Sequence, residues 1–279
     1  MRLGIALTAA ASILAAQPRP AAPLALINGA LHQYEDGPPV PSGYRVMPGE
    51  TVFFSIQVKG FTVSADERVR LSYRVEAYDE GGLLLAEPGA GSIDAAVTVF
   101  DKEWLPKIRY AFLLPPHALP GRCRIVTRLR DELDGREASA DTPLLVGGRM
   151  VELSGTLAVR NFRFLRREQD TQPMEAAVYR PGDALWAKFD ITGFRSGEKN
   201  RVNVTYGLSV LGPSGKVLFS EPLAAADEDE PFYPKRYVSG AVNLSVQPKT
   251  PPGEYILVLT VRDEVGGQSI ESRHPFRVE

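Results

Sequence analysis

The triplet Arg-Asp-Glu occurs twice in similar surroundings and is the first candidate for chemistry. It occupies residues 130–132 and 262–264, each time at the end of an alternating apolar run. A pair of carboxylates held at a suitable separation can act as general acid and base, as in glycoside hydrolysis. An active site is usually single, whereas this triplet recurs, so we interpret both copies as strand-end structure. A hydrolase that uses Asp131 is kept as a third functional class.

The densest run of charge in the chain is acidic and covers residues 227–230. It consists of Asp227, Glu228, Asp229 and Glu230. Carboxylate oxygens are the ligands that Ca²⁺ prefers. The run lacks the spacing of an EF-hand, so we interpret it as a solvated acidic loop and leave calcium binding open.

The histidines and the cysteine are predicted to be structural or solvated side chains. His32, His117 and His274 have no neighbours at the spacing of zinc ligands, which predicts structural or solvated side chains. Cys123 lies between two arginines, which favour a thiolate, but its place in an alternating apolar run predicts a buried thiol. One cysteine excludes an intramolecular disulfide.

Nucleotide, phosphate-loop and nucleophile-elbow motifs are absent from the sequence, so we expect no enzyme, no cofactor and no bound metal.

Two aromatic-rich loops are the strongest candidates for binding. Phe100 and Trp104 lie in one loop, and Phe232, Tyr233 and Tyr237 lie in the other. Both loops interrupt the alternation that would bury such rings. Aromatic rings beside charges are typical of surfaces that contact proteins or sugars, but rings in such loops also cap a sandwich or pack between domains. The sequence leaves both roles open and nominates these five residues as the partner-binding site.

The elements that position these loops have apolar residues at every second position. Residues 52–58 and 69–75 show this pattern, which is typical of strands with one buried and one solvated face. Glycine and proline separate the runs, and no segment has a sustained helical period. In the first half we predict strands at about 24–31, 50–59, 68–78, 83–87, 93–100 or 107–114, 121–131 and 136–146.

The chain contains this arrangement twice. At an offset of 133 residues, Asn28 aligns with Asn161 and Gly60 with Gly193. At an offset of 132, further glycines, prolines and charged residues align in the same order. Such ordered agreement indicates a tandem duplication.

Two copies of about seven short alternating strands predict an all-β fold. We expect two tandem immunoglobulin-like antiparallel β-sandwich domains that arose from an internal duplication. The predicted domains are residues 23–148 and 149–279, with Gly147 and Gly148 at their junction. A junction this short restricts the relative orientation of the domains.

The first 22 residues have the composition of an export signal. Arg2 supplies a positive charge, and an uncharged run from Leu3 to Ala16 follows. That run is too short to span a bilayer, so residues 1–22 are predicted to be a secretory signal peptide and spacer. The chain has 32 basic and 34 acidic residues, and its net charge of -2 provides no long-range attraction for nucleic acid. We expect an exported protein, periplasmic or extracellular, without a transmembrane segment in the mature chain.

Two motifs carry a family resemblance. The segment Tyr-Arg-Pro-Gly-Asp at 179–183 and the segment Pro-Gly-Glu-Tyr at 252–255 frame the second copy. In this respect the chain resembles secreted bacterial immunoglobulin-like modules and is similar to macroglobulin-type sandwich domains. Macroglobulins that trap proteases carry a Cys-Gly-Glu-Gln thioester, whereas Cys123 here sits in Arg-Cys-Arg. Two-domain pilus chaperones share the size and the signal peptide, but their domains are not close copies of each other.

These features together predict a non-enzymatic, exported interaction or structural module. Its strands would be the scaffold, and its sandwich-end loops would bind a protein partner. The alternative is a carbohydrate-binding accessory protein, which requires coplanar and exposed loop aromatics.

Overall fold

The computed structural model describes residues 22–98, 100–101 and 103–279. Within these ranges the chain is built from β-strands, with one short 3₁₀ turn at Glu198–Asn200. The same part of the chain contains no helix with the length and apolarity needed to cross a membrane. The predicted signal peptide and spacer lie outside the described residues, except for Ala22.

Seven strands form the first sandwich. One sheet has the order β1-β2-β5 and the other β4-β3-β6-β7. Alternate apolar side chains of the two sheets face each other and are buried, among them Phe54, Leu71 and Ile125. The strands are β1 (Ala25–His32), β2 (Thr51–Lys59), β3 (Arg68–Tyr78), β4 (Gly89–Ala96), β5 (Lys107–Leu113), β6 (Gly121–Asp131) and β7 (Glu137–Val146).

Eight strands form the second sandwich in a matching arrangement. Its sheets have the orders β13-β10-β8 and β12-β11-β14-β15-β9. The core again comes from alternate positions, such as Leu185, Phe189 and Leu257. The strands are β8 (Ala158–Leu165), β9 (Val178–Tyr179), β10 (Ala184–Thr192), β11 (Val202–Leu211), β12 (Val217–Asp229), β13 (Tyr237–Ser245), β14 (Gly253–Asp263) and β15 (Gln268–Val278).

The structure confirms the all-β fold of two tandem sandwiches and repeats small details in both copies. Gly60 and Gly193 both adopt a positive φ, 73° and 76°. A Cβ at Gly60 would lie 2.2 Å from the carbonyl oxygen of Pro23, and one at Gly193 would lie 1.9 Å from that of Thr156. Glycine is needed at both positions because only it allows this φ together with so close an approach.

The segment before β4 differs from the predicted strand pattern. Residues 83–87 form only an isolated bridge between Leu84 and Tyr78, and the chain pairs with β3 again from Gly89. The runs offered as alternatives, 93–100 and 107–114, both contribute strands, β4 and β5. In the second sandwich the matching segment stays paired as the long strand β12.

Candidate functional site

Asp131, the first of the repeated aspartates, anchors a hairpin turn. Its carboxylate is buried and accepts hydrogen bonds from the backbone N–H groups of Thr62 at 2.7 Å and Leu133 at 3.0 Å. A buried carboxylate needs such donors because it has lost its contact with water. Asp131 thereby ties the turn after β6 to the loop after β2.

Asp263 has the same role in the second sandwich. It accepts hydrogen bonds from the N–H groups of Arg195 at 2.9 Å, Val265 at 3.1 Å and Gly266 at 2.9 Å, and from the side-chain amide of Gln268 at 3.2 Å. The residue is 1% exposed. Both aspartates therefore act as structural anchors, and this arrangement lends no support to a hydrolytic site.

The histidines are engaged in local packing. The ring of His32 lies 2.8 Å both from the carbonyl oxygen of Gly37 and from the hydroxyl of Ser55. His274 stacks on Phe162, and burial lowers its pKa to about 4, so the ring is neutral at physiological pH. In the part of the chain that the structure describes, no group of three or more His, Cys, Asp or Glu side chains is arranged to hold a metal ion.

Cys123 is the buried thiol that the alternation predicted. It lies in β6 and is 7% exposed. Burial, reinforced by the charge of nearby Asp79, raises the pKa of the thiol to about 11. The side chain is therefore protonated at neutral pH and lacks the thiolate that a nucleophile requires.

The acidic run was predicted to be a loop, but Asp227, Glu228 and Asp229 form the end of β12, and all three pair with cations of the second sandwich. The ammonium of Lys235 lies 2.8 Å from a carboxylate oxygen of Asp227 and 3.0 Å from one of Asp229. Glu228 pairs with Arg201 at 3.2 Å. A lysine therefore takes the position between two carboxylates that a bound cation would need.

The first aromatic loop, residues 97–106, is called the distal loop. Its Phe100 is 93% exposed, the largest value among the exposed apolar side chains. Trp104 instead packs against the core of the first sandwich, with its ring edge-on to Phe61 and the ring centroids 5.8 Å apart. The loop thus presents one bare phenyl ring to solvent.

The second aromatic loop, residues 230–236, is called the junction loop. Its Phe232 is 49% exposed, whereas Tyr233 is 3% exposed and belongs to the core cluster of the first sandwich. Tyr237 follows at the start of β13 and lies below the guanidinium of Arg149, 5.6 Å from its ring centroid. Tyr233 is therefore not available to another molecule while the two sandwiches are docked.

The five nominated residues do not form one surface. The last residue of β4, Ala96, pairs with Arg68 at the start of β3, so the distal loop lies at that end of the first sandwich. Tyr233 contacts Asp79, which follows the other end of β3. A strand of 11 residues separates its ends by about 33 Å. The sandwiches are therefore arranged head to tail, with the distal loop on the end that the second sandwich does not cover.

The junction between the sandwiches is a polar clasp around one buried ring. The hydroxyl of Tyr233 donates to Asp79 at 2.9 Å, and Arg236 lies 3.5 Å from the same carboxylate. The imidazole Nε2 of His117 lies 2.7 Å from the carbonyl oxygen of Tyr233, and the two rings are 5.5 Å apart. Burial, together with the hydrogen bond to Asp79, raises the pKa of Tyr233, so the phenol stays protonated and keeps donating.

A second clasp fixes the linker to the second sandwich. Arg149 donates two hydrogen bonds to the buried carboxylate of Asp190, one of them at 2.7 Å. Asn161 donates to the same carboxylate at 2.8 Å and Ser239 at 3.1 Å. Burial by itself would raise the pKa of Asp190, but these donors outweigh it and hold the pKa below its usual value.

Neither clasp was predicted from the sequence, although the sequence contains a signal for one of them. Asp79 and His117 resemble ordinary turn and loop residues, because their partner lies in the other copy of the duplication. Asp190 aligns with Gln57 at the offset of 133. A charge that replaces a neutral residue inside an apolar alternation indicates a paired, buried site, and this difference between the copies was the available signal.

We predict that Arg149→Met destabilises the second sandwich in a pH-dependent manner. The folded-state pKa of Asp190 is depressed, so its contribution is present above the unfolded-state value of 3.8 and is lost as the pH falls through the folded-state pKa. Leaving this carboxylate without its cation should cost roughly 1–3 kcal/mol at neutral pH. The deficit should shrink as the pH falls through the depressed pKa of Asp190, because protonation removes the charge that Arg149 neutralises.

Urea denaturation of both proteins across the pH range measures this difference. The matched control is Arg160→Met, because Arg160 makes a 3.7 Å contact with the exposed Glu152 and a 3.4 Å hydrogen bond to the carbonyl oxygen of Val159, and neither involves a buried carboxylate. A constant deficit at every pH would contradict the electrostatic explanation.

Comparisons with known proteins identify no family. No protein-family model matches the chain, and no curated protein matches it in sequence. Among solved structures, the chain is similar to the C-terminal domain of the Streptococcus agalactiae AgI/II polypeptide BspA, with 10% identity, 92% of this chain and 100% of that chain covered, and a TM-score of 0.29.

Two further solved structures are similar to this chain at comparable identity and TM-score. The C-terminal domain of the Streptococcus pyogenes antigen I/II-family protein AspA has 11% identity, with 92% of this chain and 99% of that chain covered and a TM-score of 0.30. E. coli alpha-2-macroglobulin has 10% identity, with 91% of this chain and 17% of that chain covered and a TM-score of 0.28. Superpositions this loose carry no inference about function.

Proposed function

We propose that the protein is an exported, non-catalytic interaction module that binds a protein partner through the distal loop. The observation that carries this proposal is the 93% exposure of Phe100 on the sandwich end that the described part of the chain leaves uncovered. In the second copy, the matching loop is the one that makes a protein contact, since it docks onto the first sandwich through Tyr233. The distal loop occupies the equivalent position in the first copy and is therefore also suited to contact with a protein.

The chemistry of the distal loop favours a protein over a sugar. Sugar-binding platforms use exposed, coplanar aromatic rings, but Trp104 packs edge-on to Phe61 and Phe100 stands alone at the loop surface. A single exposed phenyl ring beside charged residues resembles an anchor that enters an apolar pocket of a partner. Export is proposed from the composition of residues 1–22.

A photo-crosslinking phenylalanine analogue at position 100 tests this proposal in the exporting cell. We expect the analogue at Phe100 to capture a specific protein, and the same analogue at Phe232 to capture much less of it. Phe232 is the matched control because it occupies the equivalent loop and is also exposed, but lies beside the junction. The Phe100→Ser variant should lose the partner and keep its stability within about 0.5 kcal/mol, because an exposed ring contributes little to folding. Equal capture at both positions would count against the distal loop as the binding site.

A further inference from the structure

The end of the first sandwich that receives Tyr233 has an equivalent at the far end of the second sandwich. Asp79 and His117 mark the filled end, after β3 and in the loop before β6. Nearby core residues of that end are Leu114, Ala118 and Cys123. At offsets of 132 and 133, the matching residues of the second sandwich are Gly212, Lys249, Val246, Thr250 and Tyr255.

Three of these matching residues, Val246, Thr250 and Tyr255, line an open cleft, called the distal cleft. It has a volume of about 570 Å³, and its walls are largely apolar. Leu218 and Phe219 at its rim are 58% and 45% exposed, which is unusual for large apolar side chains. The apolar walls include Val210, Leu218, Phe219, Val246, Tyr255 and Phe276. The second sandwich thus has the receiving end of the head-to-tail contact, without a ring to fill it in the described part of the chain.

The distal loop is of the same kind as the inserting junction loop, but it enters no cleft in the described part of the chain. The distal loop is the repeat equivalent of the junction loop, with Phe100 aligned to Phe232 at an offset of 132. It spans ten residues between β4 and β5, against seven between β12 and β13.

The charges of the unused loop and the unused cleft are complementary. The distal loop has Asp101 and Glu103 against Lys102, for a net charge of −1. The segments 212–218 and 246–252, which contribute Leu218, Val246 and Thr250 to the cleft wall, contain two lysines and no acidic residue. At the internal junction the signs of the charges are reversed, because the basic Arg236 of the inserting loop contacts the acidic Asp79 of the receiving end. The distal loop is thus matched in charge to the distal cleft, and mismatched to the acidic turn that receives the junction loop.

We infer that a second copy of this chain docks head to tail, with Phe100 of one copy entering the distal cleft of the next. The inference rests on the proposed function, because it names the protein that the distal loop binds. It continues the contact that already joins the two sandwiches within one chain. A contact between two different surfaces does not close on itself, so it propagates into linear assemblies unless the geometry closes a ring.

Sedimentation of the purified protein and two variants tests this assembly. The native chain should associate reversibly and increasingly up to about 100 µM. Phe100→Ser removes the inserting ring, and Leu218→Glu places a charge at the exposed rim of the cleft. Each change should weaken self-association by about tenfold or more. Both side chains are largely exposed, so unchanged thermal unfolding will show that the variants fold.

Mixing the two variants provides the decisive measurement. The Phe100→Ser chain keeps an intact cleft and the Leu218→Glu chain keeps an intact loop, so the mixture should form one-to-one complexes that cannot extend. A native chain that stays monomeric, or a mixture that stays monomeric while the native chain associates, would overturn the inference. If the native chain is monomeric but the analogue at Phe100 still captures a different protein, the proposed function stands and only the identity of the partner is wrong. Failure of both experiments would reject both proposals.

Discussion

Replacing Tyr233 with alanine should release the second sandwich from the first while leaving both folded. The ring is 3% exposed, lies among core residues of the first sandwich, and hydrogen-bonds to Asp79 through its hydroxyl. Its removal leaves a cavity and takes one donor from the Asp79 carboxylate, which keeps its contacts with the N–H of Leu83 and with Arg236. Truncating a buried aromatic side chain typically costs about 3–5 kcal/mol, and here the loss falls on the docking contact rather than on either core.

Small-angle scattering and calorimetry measure this release. We expect a larger radius of gyration and two separate unfolding transitions in the Tyr233→Ala variant, where the native chain should show coupled unfolding. Phe232→Ala is the matched control, because its ring is the neighbouring one in the same loop and is 49% exposed. An unchanged radius and unfolding profile in Tyr233→Ala would show that other contacts hold the sandwiches together.

Replacing Asp263 with alanine should be among the most damaging single changes in the second sandwich. The carboxylate accepts hydrogen bonds from three backbone N–H groups and from the amide of Gln268. Its removal leaves these donors without partners in a buried turn. We expect a loss of about 3–5 kcal/mol, which is typical when one side of a buried charged network is removed.

Chemical denaturation with the neighbouring Glu264→Ala variant as control isolates this effect. Glu264 is exposed, and its carboxylate accepts only from the hydroxyl of Thr205 at 3.2 Å, so its loss should change the stability by about 0.5 kcal/mol or less. Asp131→Ala should produce a similar loss in the first sandwich, because Asp131 occupies the equivalent position. A loss below about 1 kcal/mol for Asp263→Ala would show that water or a rearranged turn replaces the carboxylate.

Several features of the fold could be predicted because they depend on short-range pattern. The alternation in residues 52–58 and 69–75 predicted β2 and β3, since a strand turns successive side chains to opposite faces. The repeated triplets at 130–132 and 262–264 were predicted to be strand-end structure, and the structure shows Asp131 and Asp263 anchoring the turns there. The segment at 83–87 was harder because its apolar residues contribute to the core without forming a paired strand.

The environments of the loop aromatics could not be predicted in the same way. Phe100 and Tyr233 lie in equivalent loops with similar composition, yet the first is 93% exposed and the second 3% exposed. The difference arises because the neighbouring sandwich covers only one of the two loops. Which loop is covered depends on contacts between residues 154 positions apart, such as Tyr233 and Asp79.

The sequence by itself determined the strands, the duplication and the turn anchors, because each follows from periodicity and from residues that recur in order. The tertiary structure decided which aromatic loop is buried, where the unfilled cleft lies, and that Asp190 is paired with Arg149. The physical reason is that local pattern determines which face of a strand is apolar, whereas the docking of two sandwiches determines which of their equivalent ends remains uncovered. The uncovered ends, with Phe100 at one and Phe219 at the other, are therefore visible only in the assembled chain.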